Sequence, residues 1–177
     1  MHSDPRPSAA DGAAAPLVLN VVIARLDVHD AEDVLRSLAG RLLDAGAVTL
    51  DFPEALRARE RQYPTGLPTP IPTAIPHADP RHVVTPGIAL ATLARPVRFG
   101  EMGAGERTLE VQLVAMPLLA DAAEHLAALQ RLMGLLRDGS AVADLLAATD
   151  DEQLRERAAA HLAAALPSAE GSGEAGA

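Results

Sequence analysis

The residues best suited to chemistry lie in one short stretch of the chain, from Arg59 to Asp79. Within it, His77 directly follows a proline, and Arg59 and Thr65 precede it around a loop rich in Gly and Pro. A neutral imidazole can act as a nucleophile, a base or a metal ligand, and its two nitrogens can divide the work. A guanidinium and a hydroxyl are suitable ligands for phosphoryl oxygens. Together these residues predict one anion-handling site centred on His77.

The elements around this stretch explain how it would present a histidine. The segment Tyr63–Thr73 contains four prolines and a glycine, which exclude a helix and favour a stiff, extended loop. Residues 74–77 then predict a short strand or strand edge. Pro76 has no N–H to donate, so this segment cannot be a fully paired central strand. A helix opening at Asp51 would carry Arg59 near its end.

The rest of the chain alternates between strand and helix patterns. Short apolar or β-branched runs predict strands at residues 17–23, 87–93 and 109–116, with a small edge strand at 97–99. Apolar residues at helical spacing predict helices at residues 31–46, 122–137, 141–148 and 152–164, with Asp121 and Ser140 as N-caps of two of them. This order predicts the α/β class, with helices covering a mixed sheet. We expect one domain at residues 16–166, between disordered tails at 1–15 and 167–177.

Composition narrows the function. The 177 residues carry a net charge of −9, which disfavours nucleic acid as a partner. There is no cysteine, so thiol nucleophiles and Cys-based zinc sites are excluded. No signal-peptide pattern or long apolar run occurs, so we expect a cytoplasmic protein that is not embedded in a membrane.

Two further histidines need interpretation. His125 follows Glu124 on the predicted helix that begins near Asp121, where it could face the sheet edge or the flank of the fold. His82 is interpreted as a solvated loop residue. A metal-dependent hydrolase is an alternative, because His77, Asp79 and His82 are the right types for metal ligands, although Pro80 interrupts them and their spacing matches no rigid helix face.

The motifs resemble those of one family. The runs R-E-x-x-Y-P-T-G-L and A-I-P-H-A-D are similar to the type 2 enzyme IIA domains of the bacterial phosphoenolpyruvate-dependent sugar phosphotransferase system (PTS), the fructose–mannitol and nitrogen-regulatory superfamily. P-G-I-A-L-A-T-L-A-R-P-V-R-F-G-E-M and A-E-H-L-A-A-L-Q-R-L-M resemble later family segments. The P-T-G-L form is closest to galactitol-like IIA proteins. Thr73 and Ala78 stand where many members have glycine.

The resemblance implies a fold and a mechanism. The fold would be a mixed sheet of about five strands with helices on both faces. His77 would accept a phosphoryl group on Nε2 from the phosphocarrier protein HPr and pass it to a IIB domain. The group would then reach a sugar of the galactitol, fructose or mannitol type that crosses a IIC membrane channel. Arg59 and Thr65 would be polar site residues and His125 an assisting histidine, with no metal or cofactor.

Two other functions stay open at the level of sequence. The same phosphohistidine could serve a regulatory module that reports phosphoenolpyruvate status without a direct part in transport. The whole loop could also act as a rigid scaffold for protein contacts.

Overall fold

The computed structural model describes residues 18–121, 123 and 125–164. The predicted tails at residues 1–15 and 167–177 lie outside these described residues, as do the predicted domain boundaries at 16 and 166. In chain order the elements are β1 (Leu19–Leu26), α1 (Ala31–Asp44), α2 (Phe52–Gln62), β2 (Gly66–Leu67), β3 (Thr73–Ala74), a 3-10 turn (Pro80–His82), β4 (Gly87–Gly100), β5 (Thr108–Leu118), α3 (Leu126–Arg137), α4 (Gly139–Leu146) and α5 (Asp151–Ala164).

The five strands form one mixed sheet in the order β1-β4-β5-β3-β2. β1 pairs with β4 and β3 with β5 in parallel, whereas β4 with β5 and β2 with β3 are antiparallel. The long strands β4 and β5 form the centre, and the two-residue strands β2 and β3 lie at one edge. The predicted α/β class with a mixed five-stranded sheet is therefore confirmed.

Helices cover both faces of this sheet. Val21 and Ile23 of β1 belong to the core that includes α1 and α2, whereas Val22 belongs to the core that includes α3, α4 and α5. Successive side chains of a strand point to opposite faces, so a run of apolar residues in one strand contributes side chains to both cores. Each fully buried leucine contributes about 1.5 to 3 kcal/mol to stability. None of the helices in the described part of the chain has the length and apolarity needed to cross a bilayer.

Two strand predictions were inaccurate. The segments predicted separately at residues 87–93 and 97–99 form the single strand β4, whose pairing with β5 is irregular between Thr92 and Val97. Pro96 lies in this interval and cannot donate a ladder hydrogen bond, which is why the sequence pattern looks interrupted there. Conversely, β3 ends at Ala74, so the strand predicted to reach His77 stops earlier.

Two helix starts also differ from the prediction. α3 begins at Leu126 with His125 as its N-cap residue, four positions later than the predicted start at 122. Asp121 instead organises the turn before it, where its Oδ1 accepts from Ala123 N at 2.8 Å. α4 begins at Gly139, and its cap is Asp138 rather than Ser140, because Asp138 Oδ1 accepts from Ser140 N at 3.0 Å.

Candidate functional site

His77 lies in the loop that follows β3, and two contacts fix its approach. Ile75 N donates a hydrogen bond to Thr65 O at 3.2 Å, which ties this segment to the preceding loop. Pro76 is buried, and its ring restricts the backbone directly before the histidine. His77 itself is half-buried, with its ring on the wall of a surface cavity. The imidazole is therefore held in a defined direction and remains reachable from outside.

A single hydrogen bond defines the tautomer of His77. Its Nδ1 lies 2.9 Å from the carbonyl oxygen of Ile75. A carbonyl oxygen can only accept, so Nδ1 must carry the hydrogen. In the neutral ring the lone pair is then on Nε2. His77 is thus arranged to use Nε2 as a nucleophile.

The short strand β2, which precedes His77, lies so close to the end of β4 that it requires a glycine. A Cβ atom added to Gly66 would lie 2.5 Å from the carbonyl oxygen of Gly100, far inside van der Waals contact. Gly66 O also accepts from Met102 N at 2.8 Å. Replacing Gly66 by alanine would push the loop away from β4. The glycine of the P-T-G-L run therefore sets the position of the loop that supports His77.

Thr65 lies inside this loop, and its side chain is not on the cavity wall. The residue is buried, its hydroxyl donates to Glu60 Oε2 at 2.8 Å, and its N–H donates to Glu60 Oε1 at 3.0 Å. The hydroxyl hydrogen is thus already committed, which revises the predicted direct contact with an anion. Burial raises the pKa of Glu60, and the two hydrogen bonds from Thr65 oppose that shift. Both residues anchor the loop to the end of α2.

Arg59 comes from the same end of α2 and does line the cavity with His77. The cavity has a volume of about 240 Å³. Arg59 Nη1 lies 3.7 Å from Asp79 Oδ1, and the guanidinium carbon lies 5.6 Å from the centroid of the Tyr63 ring. Arg59 Nε is buried and has no hydrogen-bond partner among the described residues. The guanidinium is therefore placed beside His77 with donor capacity unused.

The remaining cavity wall is mainly apolar and lowers the local polarity. It is contributed by residues of the β3 loop, the end of β5 and α3: Ile75, Ala78, Pro80, Pro117, Leu119 and Leu129. Electrostatic interactions are stronger beside such surfaces than in bulk water. A larger cavity of about 570 Å³ lies among α1, α2 and β4, but its described lining contains no histidine. The smaller cavity is therefore the one that combines a histidine with an arginine.

His125 stands at the start of the helix that closes this cavity. It is the N-cap residue of α3, and its carbonyl oxygen accepts from Leu129 N at 2.9 Å. Leu129, one turn later, lines the cavity, whereas the His125 ring is not part of the described wall. The structure thus brings His77 and Arg59 together on one cavity wall. His125 lies one helical turn before the cavity residue Leu129, and the side chain of Thr65 is buried against Glu60 and does not line the cavity.

His82 was predicted to be solvated, and this prediction was wrong. Its side chain is only 7% exposed. Nδ1 lies 3.1 Å from Asp51 Oδ1, and Nε2 accepts from Arg81 Nε at 3.2 Å. Both nitrogens are thus engaged. Asp51 lies 31 residues earlier in the chain, so no local pattern could reveal this contact.

The burial of His82 also removes the ligand set of the metal-hydrolase alternative. His77 and Asp79 face the cavity, whereas the ring of His82 is turned to Asp51 at the start of α2. Within residues 18–121, 123 and 125–164, no group of three or more His, Asp or Glu side chains could hold a metal ion. The metal site suggested by His77, Asp79 and His82 is therefore wrong. His77 and Asp79 line the cavity, whereas His82 is a structural histidine.

Comparison with known families agrees with this geometry. Residues 17–159 match the family described as Phosphoenolpyruvate-dependent sugar phosphotransferase system, EIIA 2. The chain belongs to this family. The resemblance that the motifs of this EIIA 2 domain showed is thus confirmed.

Curated relatives of this EIIA 2 domain are larger proteins. The multiphosphoryl transfer protein of Salmonella typhi is 34% identical over 129 residues, which cover 72% of this chain and 32% of that protein. That of Escherichia coli O157:H7 is 33% identical over 136 residues, covering 73% of this chain and 34% of that protein. The chain thus spans about a third of the length of the curated relatives it matches.

Solved structures share the fold of the EIIA 2 domain. The mannitol-specific cryptic phosphotransferase enzyme IIA of Escherichia coli superposes with a TM-score of 0.66 at 23% identity, covering 81% of this chain and 95% of that one. The mannitol enzyme IIA of Escherichia coli, solved in complex with phosphorylated mannitol enzyme IIB, gives 0.63 at 24% identity, covering 82% and 94%. At these identities the likeness supports the fold.

Proposed function

We propose that this EIIA 2 domain accepts a phosphoryl group from phosphorylated HPr on Nε2 of His77 and passes it to a IIB domain. The IIB domain would serve sugar uptake through a IIC permease. The observation that carries the assignment is the hydrogen bond from His77 Nδ1 to Ile75 O, 2.9 Å long. It leaves Nε2 as the nitrogen with the free lone pair, on the wall of an open cavity.

The transfer is an in-line displacement between two imidazoles. The lone pair of His77 Nε2 attacks phosphorus, the P–N bond to the histidine of HPr breaks, and that bond pair returns to the departing nitrogen. The hydrogen on His77 Nδ1 stays in its bond to Ile75 O. In the second half of the relay the same phosphorus is attacked by IIB, and His77 leaves as neutral imidazole. Because donor and acceptor are protein side chains, positioning and charge stabilisation supply most of the catalysis.

The other predicted residues take supporting roles in this proposal. Arg59 would bind the equatorial oxygens, because its guanidinium shares the cavity with His77 and its Nε has no other described partner. Thr65 would act indirectly, by fixing the loop through Glu60. His125 would assist from the start of α3, one turn before Leu129. We also propose a cytoplasmic location, since the relay runs between cytoplasmic carriers.

The test is phosphorylation of the purified chain by phosphoenolpyruvate, enzyme I and HPr, followed by mapping of acid-labile phosphate. The wild-type chain should carry the label on Nε2 of His77, and His77→Asn should carry none. His29→Asn is the matched control, because His29 is exposed in the turn before α1. Undiminished label in His77→Asn would refute the assignment.

A further inference from the structure

Asp79 is the one carboxylate on the described wall of the His77 cavity. We propose that Asp79 is the resident counter-anion of Arg59, which the incoming phosphoryl group displaces, and that it raises the free energy of the phosphorylated domain so that the group moves on. The inference rests on the proposed function, because it assigns a second charge to the same site.

Among the described residues, the side chain of Asp79 makes no hydrogen bond or ion pair other than its contact with Arg59. Asp79 stands at the N-cap position of the 3-10 turn Pro80–His82, but its side chain makes no capping hydrogen bond there. The turn is closed by the backbone instead, since His82 N donates to Asp79 O at 3.0 Å. An acid at a turn start usually caps it. Here the carboxylate is turned to Arg59.

The pairing of Asp79 with Arg59 is loose enough to be exchanged. Their closest atoms, Arg59 Nη1 and Asp79 Oδ1, are 3.7 Å apart, which is an ion-pair distance and too long for a hydrogen bond. The two side chains are 37% and 57% exposed. Ion pairs of this kind are held weakly. Little stability is lost when Arg59 turns to another anion.

A phosphoryl group on His77 is the stronger competitor for the guanidinium. It carries close to two negative charges and three acceptor oxygens, which allow charge-assisted hydrogen bonds in the fork geometry of arginine. Arg59 Nε, which is buried and has no described partner, becomes an additional donor once the side chain turns to the phosphoryl group. Formation of phosphohistidine should therefore draw Arg59 from Asp79 to phosphorus-bound oxygens.

The displaced carboxylate then opposes the phosphorylated state. Asp79 is two positions from His77 and shares its cavity, so its charge and that of the phosphoryl group repel. At about 4 Å a pair of unit charges in water changes an equilibrium about fivefold, and salt reduces this. The displaced carboxylate thus favours transfer of the phosphoryl group to the next protein. A carrier between two proteins needs this property, because a group held too tightly would not be passed on.

The alternative role for Asp79 predicts the opposite sign. If Asp79 merely positioned Arg59, its removal would leave the guanidinium misdirected and would destabilise phosphohistidine. Under the exchange proposed here, removal frees Arg59 and takes away the repulsion, so phosphohistidine becomes more stable. The direction of the change in one equilibrium constant separates the two.

The experiment measures the equilibrium of phosphoryl exchange between this domain and HPr, in dilute solution, from the acid-labile phosphate on each protein. Asp79→Asn should shift the equilibrium about five- to tenfold toward the phosphorylated domain. Asp27→Asn is the matched control, because Asp27 also pairs with an arginine, Arg95, at 2.6 Å, and lies outside the described cavity wall. An unchanged or reversed equilibrium in Asp79→Asn would overturn the proposal.

A second background tests the exchange itself. In Arg59→Gln, the gain from Asp79→Asn should shrink to the part caused by direct repulsion, and an undiminished gain would show that Arg59 is not exchanged. If wild-type protein takes no label on His77, the proposed function fails and this inference fails with it. If His77 is labelled but Asp79→Asn has no effect, only this inference fails.

Discussion

Two histidines five positions apart, His77 and His82, lie in contrasting environments in this domain. The ring of His77 is half-buried on a cavity wall, and one of its nitrogens has a described partner. The ring of His82 is 7% exposed, and both of its nitrogens are engaged. Each histidine also neighbours a threonine–carboxylate pair: Thr65 with Glu60 on the His77 side, and Thr49 with Asp51 on the His82 side.

The tautomer does not distinguish the two rings. In His77 the carbonyl of Ile75 requires a hydrogen on Nδ1. In His82 the donation from Arg81 Nε requires a bare Nε2, so the hydrogen is again on Nδ1, facing Asp51. What differs is the lone pair on Nε2, which is available in His77 and occupied in His82. Reactivity is therefore decided by the partner of a single nitrogen and by access to it.

The strongest way to break this comparison is to truncate each ring in turn. His82→Ala should lower the free energy of unfolding by about 2 to 4 kcal/mol, because it leaves a cavity and removes the partner of Asp51 and Arg81. His77→Ala should change stability by less than about 1 kcal/mol, since the ring is only half-buried and makes one described hydrogen bond. Urea denaturation of both variants provides the measurement.

The same two variants must separate transfer from folding. Under conditions where His82→Ala remains folded, its His77 should still take the phosphoryl label. Wild-type stability in His82→Ala would contradict the structural role of His82. A loss of about 2 to 4 kcal/mol in His77→Ala would contradict the assignment of His77 as a reactive histidine with little structural role.

A smaller effect should appear in chemical modification. Diethyl pyrocarbonate acylates unprotonated imidazole nitrogens, so it should modify His77 at least about tenfold faster than His82, which reacts only after local opening. The exposed His29 gives the reference rate in the same digest. Mass spectrometry of peptides at increasing times measures all three rates. Equal rates for His82 and His29 would mean that the buried contacts of His82 do not persist in solution.

Sequence could predict the reactive histidine better than the structural one, for a physical reason. The supports of His77 are local: Pro76 and Ile75 are its neighbours, and the stiff loop is visible as prolines. The main support of His82 is Asp51, which the fold brings in from the start of another element. The residues around His82, P-R-H-V-V, contain no pattern that predicts a contact with a residue 31 positions earlier.

The same distinction applies to the fold and to the rest of the site. Most helices and strands could be predicted from the spacing of apolar residues, because the same residues pack into the two cores. Pro96 hid the continuity of β4, and the caps of α3 and α4 depended on details of the turns. The pair of Glu60 and Thr65 was within reach of sequence reasoning, because a carboxylate at a helix end five residues before a buried threonine can reach it. The position of Asp79 beside Arg59 needed the fold.

The smallest expected effect concerns the two threonine–carboxylate pairs, which should respond to pH in opposite directions. Burial raises the pKa of Glu60 above its usual 4.5. The folded state then holds this proton more tightly than the unfolded chain, so the stability from Glu60 is fully present below about pH 4.5 and is lost as pH rises through the raised pKa. The stability of wild type relative to Glu60→Gln should therefore fall as the pH rises above about 4.5.

Asp51 should show the reverse. The hydroxyl of Thr49, and after it His82, lowers the pKa of Asp51 below its usual 3.8. Its contribution is present above that pH and is lost as pH falls through the lowered value, so the stability of wild type relative to Asp51→Asn should decline on acidification. Urea titrations of the two variants across this range provide the check. A Glu60 difference that grew with pH would mean that the hydrogen bonds from Thr65 outweigh burial, and the two carboxylates would then no longer differ in kind.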